Sequence, residues 1–190
     1  VLSTDWLSYE EVLELKAVEE MTEIYYNSRQ FTNTLKEMEK HWDSPYAMFE
    51  ALTKYYEERN LFGVKHSRLA RYEILFDFLK QQGGDMEQYR DLLVCDLYLR
   101  ENIKSRPSFA RDLAPWKQRI RRFFQKEEKQ PGYLKGYKGY DARQIGNMAH
   151  LEVMRDGSMI LFDYKNRDAL SYNAKAVRID DESSQFLCGN

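Results

Sequence analysis

Two hydrophobic periods share this chain, and they do not alternate. Up to about residue 128 apolar side chains return every three or four positions, and beyond Pro131 they shift towards every second position. The first period belongs to amphipathic helices and the second to half-buried strands. A parallel α/β fold would interleave them, whereas strands placed after helices define α+β. The expected architecture is therefore α+β and mostly α: a bundle of about six helices followed by a small antiparallel β-sheet, a hairpin with a candidate third strand. The helical domain is assigned to residues 1–130 and the β subdomain to residues 131–190.

Local signals place the elements. Ser8-Tyr9-Glu10-Glu11 forms a capping box, and Val12, Leu15, Val18, Met21 and Tyr25 follow at helical spacing towards Ser28. Thr4 to Leu7 reads as the lead-in to this helix. A second helix is expected over Thr32 to His41. Ser44-Pro45 restarts the pattern with a cap and a proline at the first helical position. Ser67 opens a helix that stops at Gly83-Gly84, Asp85 caps the next, and Pro107 closes that region. Pro115 opens a helix with Trp116, Ile120, Phe123 and Phe124 on one side. The Gly-, Tyr- and Lys-rich stretch after Pro131 reads as a loop, followed by a short helix over Asp141 to Met148. His150–Met154 and Ser158–Tyr164 form a hairpin around Asp156-Gly157, the pair that supplies the positive φ angles of a tight turn. Ala176–Ile179 is the candidate third strand, and the polar tail from Asp180 is expected to fray.

Bulk numbers narrow the function classes. At 190 residues one core is large enough to bury roughly 70% of the unfolded surface, so no staple is required. The two cysteines, Cys95 and Cys188, lie far apart, the thiol usage of a reducing compartment. No apolar run approaches the ~20 residues of a membrane span. The opening residues carry neither the basic region nor the apolar core of a signal peptide, and the first residue is Val. A cytoplasmic protein read from mid-sequence is the expectation. A net charge of −2 creates no global attraction to nucleic acid or anionic lipid. Nucleic acid is therefore not an expected partner.

Candidate chemistry is sparse. His41, His66 and His150 stand apart from one another and from the cysteines, without metal-ligand spacing. Cys95 sits among Leu92, Leu93, Val94 and Leu97, as a small buried hydrophobe does. Paired carboxylates such as Glu19-Glu20 read as solvated helix faces. No metal ligand and no catalytic residue is assigned. The cluster Lys117, Arg119, Arg121, Arg122 and Lys126 reads as the wet side of an amphipathic helix. One constellation is a candidate site: His66, Arg68, Arg71 and Tyr72 lie at the mouth of a helix, where backbone amides and guanidinium groups suit an anion or a docking partner.

The run Asp5-Trp6-Leu7-Ser8-Tyr9-Glu10-Glu11, continuing through Leu15–Met21 to Tyr25-Tyr26-Asn27-Ser28, resembles the start of a domain of unknown function. That domain lies C-terminal to the catalytic core of cobalamin-binding radical SAM proteins. Leu61-Phe62-Gly63-Val64, His66–Glu73, Leu99-Arg100-Glu101-Asn102 and Arg106-Pro107 are similar to it as well. The resemblance implies a parent enzyme with a [4Fe–4S] cluster on three cysteines, S-adenosylmethionine and cobalamin. Two cysteines cannot supply three thiolates. Cofactors are therefore expected in the parent and none in this chain, whose partner would be the N-terminal catalytic core of the same polypeptide.

On that reading the chain is a non-catalytic accessory domain with exposed apolar or Tyr-rich surface. The alternative is a protein- or RNA-interaction module, which would set its basic helix beside exposed stacking aromatics and bind in a salt-sensitive way. A self-contained enzyme would show a deep pocket with strongly perturbed titratable groups.

Overall fold

The computed structural model describes residues 8–179. The expected lead-in at Thr4–Leu7 and the tail from Asp180 lie outside the described residues. Helices come first and strands last: α1 (Tyr9–Met21), α2 (Thr32–Met38), α3 (Pro45–Glu58), α4 (Arg68–Gln81), α5 (Met86–Arg100), α6 (Lys117–Lys129), α7 (Ala142–Met148), β1 (Ala149–Val153), β2 (Met159–Asp163) and β3 (Lys175–Ile179). The fold is α+β and mostly helical, as the change of period predicts. The strands form one antiparallel sheet in the order β1-β2-β3, with Leu151 opposite Leu161 and Leu161 opposite Val177.

The chain separates into two compact units between Asp96 and Leu97, within α5. In the first unit, short-range capping fixes most helix ends. Ser8 and Glu11 make the reciprocal capping box, and Ser44 and Ser67 accept from the amides of Ala47 and Ala70. After α3, Asn60 adopts a positive φ of 52° while Leu61 N bonds Tyr56 O, the double closure of a Schellman end. Helix α2 is different, because its cap residue Phe31 offers no side-chain bond. The carboxylate of Asp96 takes that place: Thr34 N and Oγ1 donate to it at 2.9 and 2.7 Å, and Asn33 N and Nδ2 at 3.1 and 2.8 Å.

The core of this unit is built largely from aromatic rings. Tyr72, Phe31, Tyr25 and Tyr56 make a row with successive centroids 4.3, 4.9 and 6.2 Å apart. The Tyr25 and Tyr56 hydroxyls share a 2.7 Å hydrogen bond inside it. Beyond Met21 the helix widens into a π-helical turn over Thr22–Asn27, where Thr22 Oγ1 takes the Val18 carbonyl at 2.9 Å. This turn buries Tyr25 and leaves Tyr26 exposed. Leu15, expected inward, is 43% exposed. At about 100° per residue it stands roughly 120° round the helix from Met21, outside the arc that faces the core.

In the second unit, Phe124, Ile145, Leu151, Val153, Leu161 and Ile179 share one core, with Trp116, Ile120 and Phe123 packed against it. Helix α6, which the period grouped with the helices before it, thus belongs with the sheet. The turn Ala114–Trp116 is 3-10, so Pro115 lies just ahead of α6 and not within it. The hairpin turn also differs from expectation. Only Gly157 has positive φ (79°), and Met154 N bonds Ser158 O across a three-residue loop. This is a type I turn closed by a left-handed glycine, in place of a two-residue turn.

Candidate functional site

The structure sends the four residues predicted at the start of α4 to different tasks. Tyr72 is fully buried in the aromatic row, and its hydroxyl donates to Gln30 O at 3.0 Å. His66 Nε2 lies 2.8 Å from Leu61 O, and its ring meets Tyr56 edge-on at 6.1 Å. Arg68 is exposed and Arg71 half-buried. The Arg71 carbonyl accepts from Tyr25 at 3.3 Å, and its Nε is buried without a hydrogen-bond partner. Ser67 already satisfies one of the helix's first amides. His66 and Tyr72 therefore hold the helix start in place, leaving Arg68 and Arg71 as the cations nearest solvent.

Two cavities of the first unit are lined by other residues. One of about 540 Å³ lies beside Tyr26, Arg29, Leu35 and Lys36, where the π-helical turn ends. Arg29 takes a left-handed φ of 55° there, an uncommon conformation for a residue with a side chain. The other, about 340 Å³, is bordered by Glu37, His41, Trp42, Asp85 and Tyr89. Burial pushes the Tyr89 phenol up to about 12, with help from the Glu37 and Asp85 charges.

The second unit contains the densest buried polar clusters, and sequence reading missed them. Glu152, only 1% exposed, receives two bonds from Arg106 at 2.7 and 2.9 Å, and His150 Nε2 lies 3.0 Å from its carboxylate. The second Arg106 nitrogen also donates to Arg111 O at 2.8 Å. The His150 ring stacks on Tyr98 at 3.8 Å. Burial works against the Glu152 charge, but the bonds from His150 and Arg106 outweigh it and hold the carboxyl below its ordinary range. Burial pushes Tyr98 up to about 12. The signal was an H-x-E pair on a strand, where positions i and i+2 share a face.

Three further buried carboxylates act in the same way. Glu127 accepts from the amides of Gly132, Tyr133 and Leu134, clamping the loop after α6. Asp163 accepts from the Tyr137 hydroxyl and from Lys165 N and Asn166 Nδ2. Burial first, and the hydrogen bond to Asp163 second, raise the Tyr137 phenol above its usual value. Asp96 caps α2, with burial raising its pKa against the opposing pull of four donors. Each group is held by fixed donors of the protein. Among the described residues no three His, Cys, Asp or Glu side chains converge as metal ligands. No described helix is long and apolar enough to cross a membrane.

Fold and side chains together define a mostly helical α+β domain whose buried polar groups serve its own architecture. The chain belongs to the family described as a protein of unknown function (DUF4080), whose pattern it matches over residues 1–173. No curated protein and no solved structure matches it.

Proposed function

We propose that this chain is the C-terminal accessory domain of a cobalamin-binding radical SAM protein, and that it docks on that protein's catalytic core. The observation that carries the reading is helix α1. Its Val18 and Met21 are buried, yet Tyr9, Leu13 and Leu15 remain 51%, 47% and 43% exposed. A surface helix normally confines its apolar side chains to one stripe, and a helix apolar on more sides is built to be covered on more sides. The resemblance in the opening residues falls on this same helix and supports the choice of parent.

The donor set agrees with a division of labour. Cys95, half-buried in α5, and Cys188 are the only thiols, so a cluster on three thiolates does not fit this chain. Cluster, S-adenosylmethionine and cobalamin belong to the core, where they would supply the radical chemistry. This domain would cover part of the core and keep water from reactive intermediates.

The test is the parent polypeptide. Its upstream sequence should contain a C-x-x-x-C-x-x-C run, and the purified protein should bind iron. Hydrogen exchange across α1 should slow relative to the isolated chain. An upstream sequence without the cysteine run removes the assignment, and unchanged exchange at Leu13 and Leu15 removes the docking face.

A further inference from the structure

Between the π-helical turn and α2 the chain places an arginine where a glycine would cost less. Arg29 has a φ of 55°, a left-handed conformation in which a Cβ crowds the backbone. The bend is held from both sides: Arg29 N donates to Tyr26 O at 3.0 Å, and Thr32 Oγ1 donates to Arg29 O at 3.2 Å. The π-helical turn just before it, over Thr22–Asn27, is a second departure from regular helix. Such departures gather at functional sites, where the conformation serves the side chain it presents. Here that side chain is an exposed guanidinium bordering the cavity of about 540 Å³.

The lining of that cavity brings three chemistries to one place. Tyr26 contributes a ring that is 56% exposed, although Tyr25 beside it is fully buried. Leu35, 4% exposed, adds an apolar contact. Thr32, Lys36 and Glu39 line it from α2 and the turn that continues it, at i, i+4 and i+7 on one helix face.

Lys36 and Glu39 are exposed and stand one turn apart. Their side chains nevertheless form no ion pair or hydrogen bond among the described residues. An uncommitted cation, an uncommitted carboxylate and an open ring therefore border a single volume. Its size lies within the roughly 300–1,000 Å³ of small-molecule sites.

We propose that this cavity binds a nucleoside diphosphate. Arg29 and Lys36 hold the phosphates, Tyr26 stacks on the base, and Glu39 accepts from the vicinal hydroxyls of the ribose. Thr32 and Glu39 lie about 10 Å apart along the helix, which puts the phosphates at one end and the sugar at the other. An inorganic anion fits less well, because it leaves the ring unused and meets the Glu39 charge. A nucleic-acid strand fits less well too, because residues 8–96 carry 18 Asp and Glu against 11 Lys and Arg and repel a run of phosphates. The site does not involve the exposed face of α1, so it stands or falls independently of the radical SAM parent.

The test is isothermal titration of the full 190-residue chain with ADP, GDP, CDP and UDP, in buffer free of divalent metal. At least one should bind with a Kd under about 1 mM. The matching nucleoside and inorganic pyrophosphate should each bind about tenfold more weakly than that diphosphate. Arg29→Gly should weaken the diphosphate and pyrophosphate alike, about tenfold, without lowering the thermal midpoint, because glycine relaxes the left-handed backbone. Lys36→Ala should do the same to both ligands and leaves the turn untouched. Tyr26→Ala should weaken the diphosphate about tenfold and leave pyrophosphate unchanged. The 2′-deoxy diphosphate should bind several-fold more weakly than the ribose form, and Glu39→Ala should abolish that preference. No binding of any of the four, or a nucleoside or pyrophosphate that binds as tightly as the diphosphate, overturns the proposal. So do variants that bind like the unaltered chain, a ribose preference that survives Glu39→Ala, or a single-stranded oligonucleotide that binds more tightly than the diphosphate.

Discussion

Replacing Arg106 by alanine isolates what the buried Glu152 costs and what its partners return. The substitution deletes two charge-assisted bonds, at 2.7 and 2.9 Å, to a carboxylate that is 1% exposed, along with the bond to Arg111 O. His150, and the long 3.4 Å bond from Val153 N, then face the charge. Breaking a buried pair from one side typically costs about 3–5 kcal/mol, because the remaining ion has neither water nor a partner. Glu152→Gln should cost less, about 1–3 kcal/mol, since the Arg106 side chain is 29% exposed and can recover water. Replacing both together, Arg106→Met with Glu152→Leu, should come close to neutral.

The pH dependence has a definite sign. The folded carboxyl lies below its ordinary value, so its contribution is present above the unfolded pKa and is lost as pH falls through the folded one. The deficit of Arg106→Ala should therefore shrink on acidification. Urea titrations followed by circular dichroism at pH 7 and pH 4 measure both quantities. A deficit under about 1 kcal/mol at pH 7, or one that grows in acid, refutes the account of Glu152 as an ion stabilised by Arg106.

Other perturbations read other parts of the fold. Asp96→Ala removes the trans cap of α2 and leaves the buried Thr34 donors unmet, which should cost about 2 kcal/mol in the same urea assay. Burial raises the Asp96 pKa, so its titration opposes that of Glu152: its contribution to stability falls as pH rises through the folded value. Gly84→Ala should lose about 1–3 kcal/mol, because an added Cβ would stand 2.6 Å from the buried Tyr89 ring. Gly83→Ala meets open space and should lose only the roughly 1 kcal/mol of a left-handed backbone, here φ 74°. Melting curves of the two variants rank them. Leu13→Gln with Leu15→Gln should shift the isolated chain by no more than about 0.5 kcal/mol while exposing α1 to hydrogen exchange in the parent protein.

Short-range features could be read directly from the residues. Ser8 with Glu11, Ser44, Ser67 and Asp141 all cap helices whose amides lie within three residues. The same holds for the stop at Gly83 and for the hairpin, whose strands fall within a residue of expectation. The order of helices and strands followed from the period alone. The turn geometry was harder, since Asp156-Gly157 serves two- and three-residue loops alike and the flanking strand register decides between them.

Of the candidate site, residue identities were legible and their surroundings were not. His66 and Tyr72 looked like ligands because nothing in the local sequence announces the Leu61 and Gln30 carbonyls that occupy them. Glu152 passed as an ordinary strand position because Arg106 lies 46 residues away, and Asp96 as a polar helix residue because Thr34 lies 62 away.

Local chemistry and hydrophobic period thus determined by themselves which elements form, where most of them end, and that sheet follows bundle. Tertiary structure alone decided which carboxylates are buried and what neutralises them. The physical reason is range. A cap or a turn is satisfied within a few residues, whereas a buried charge is satisfied only where folding brings a distant donor.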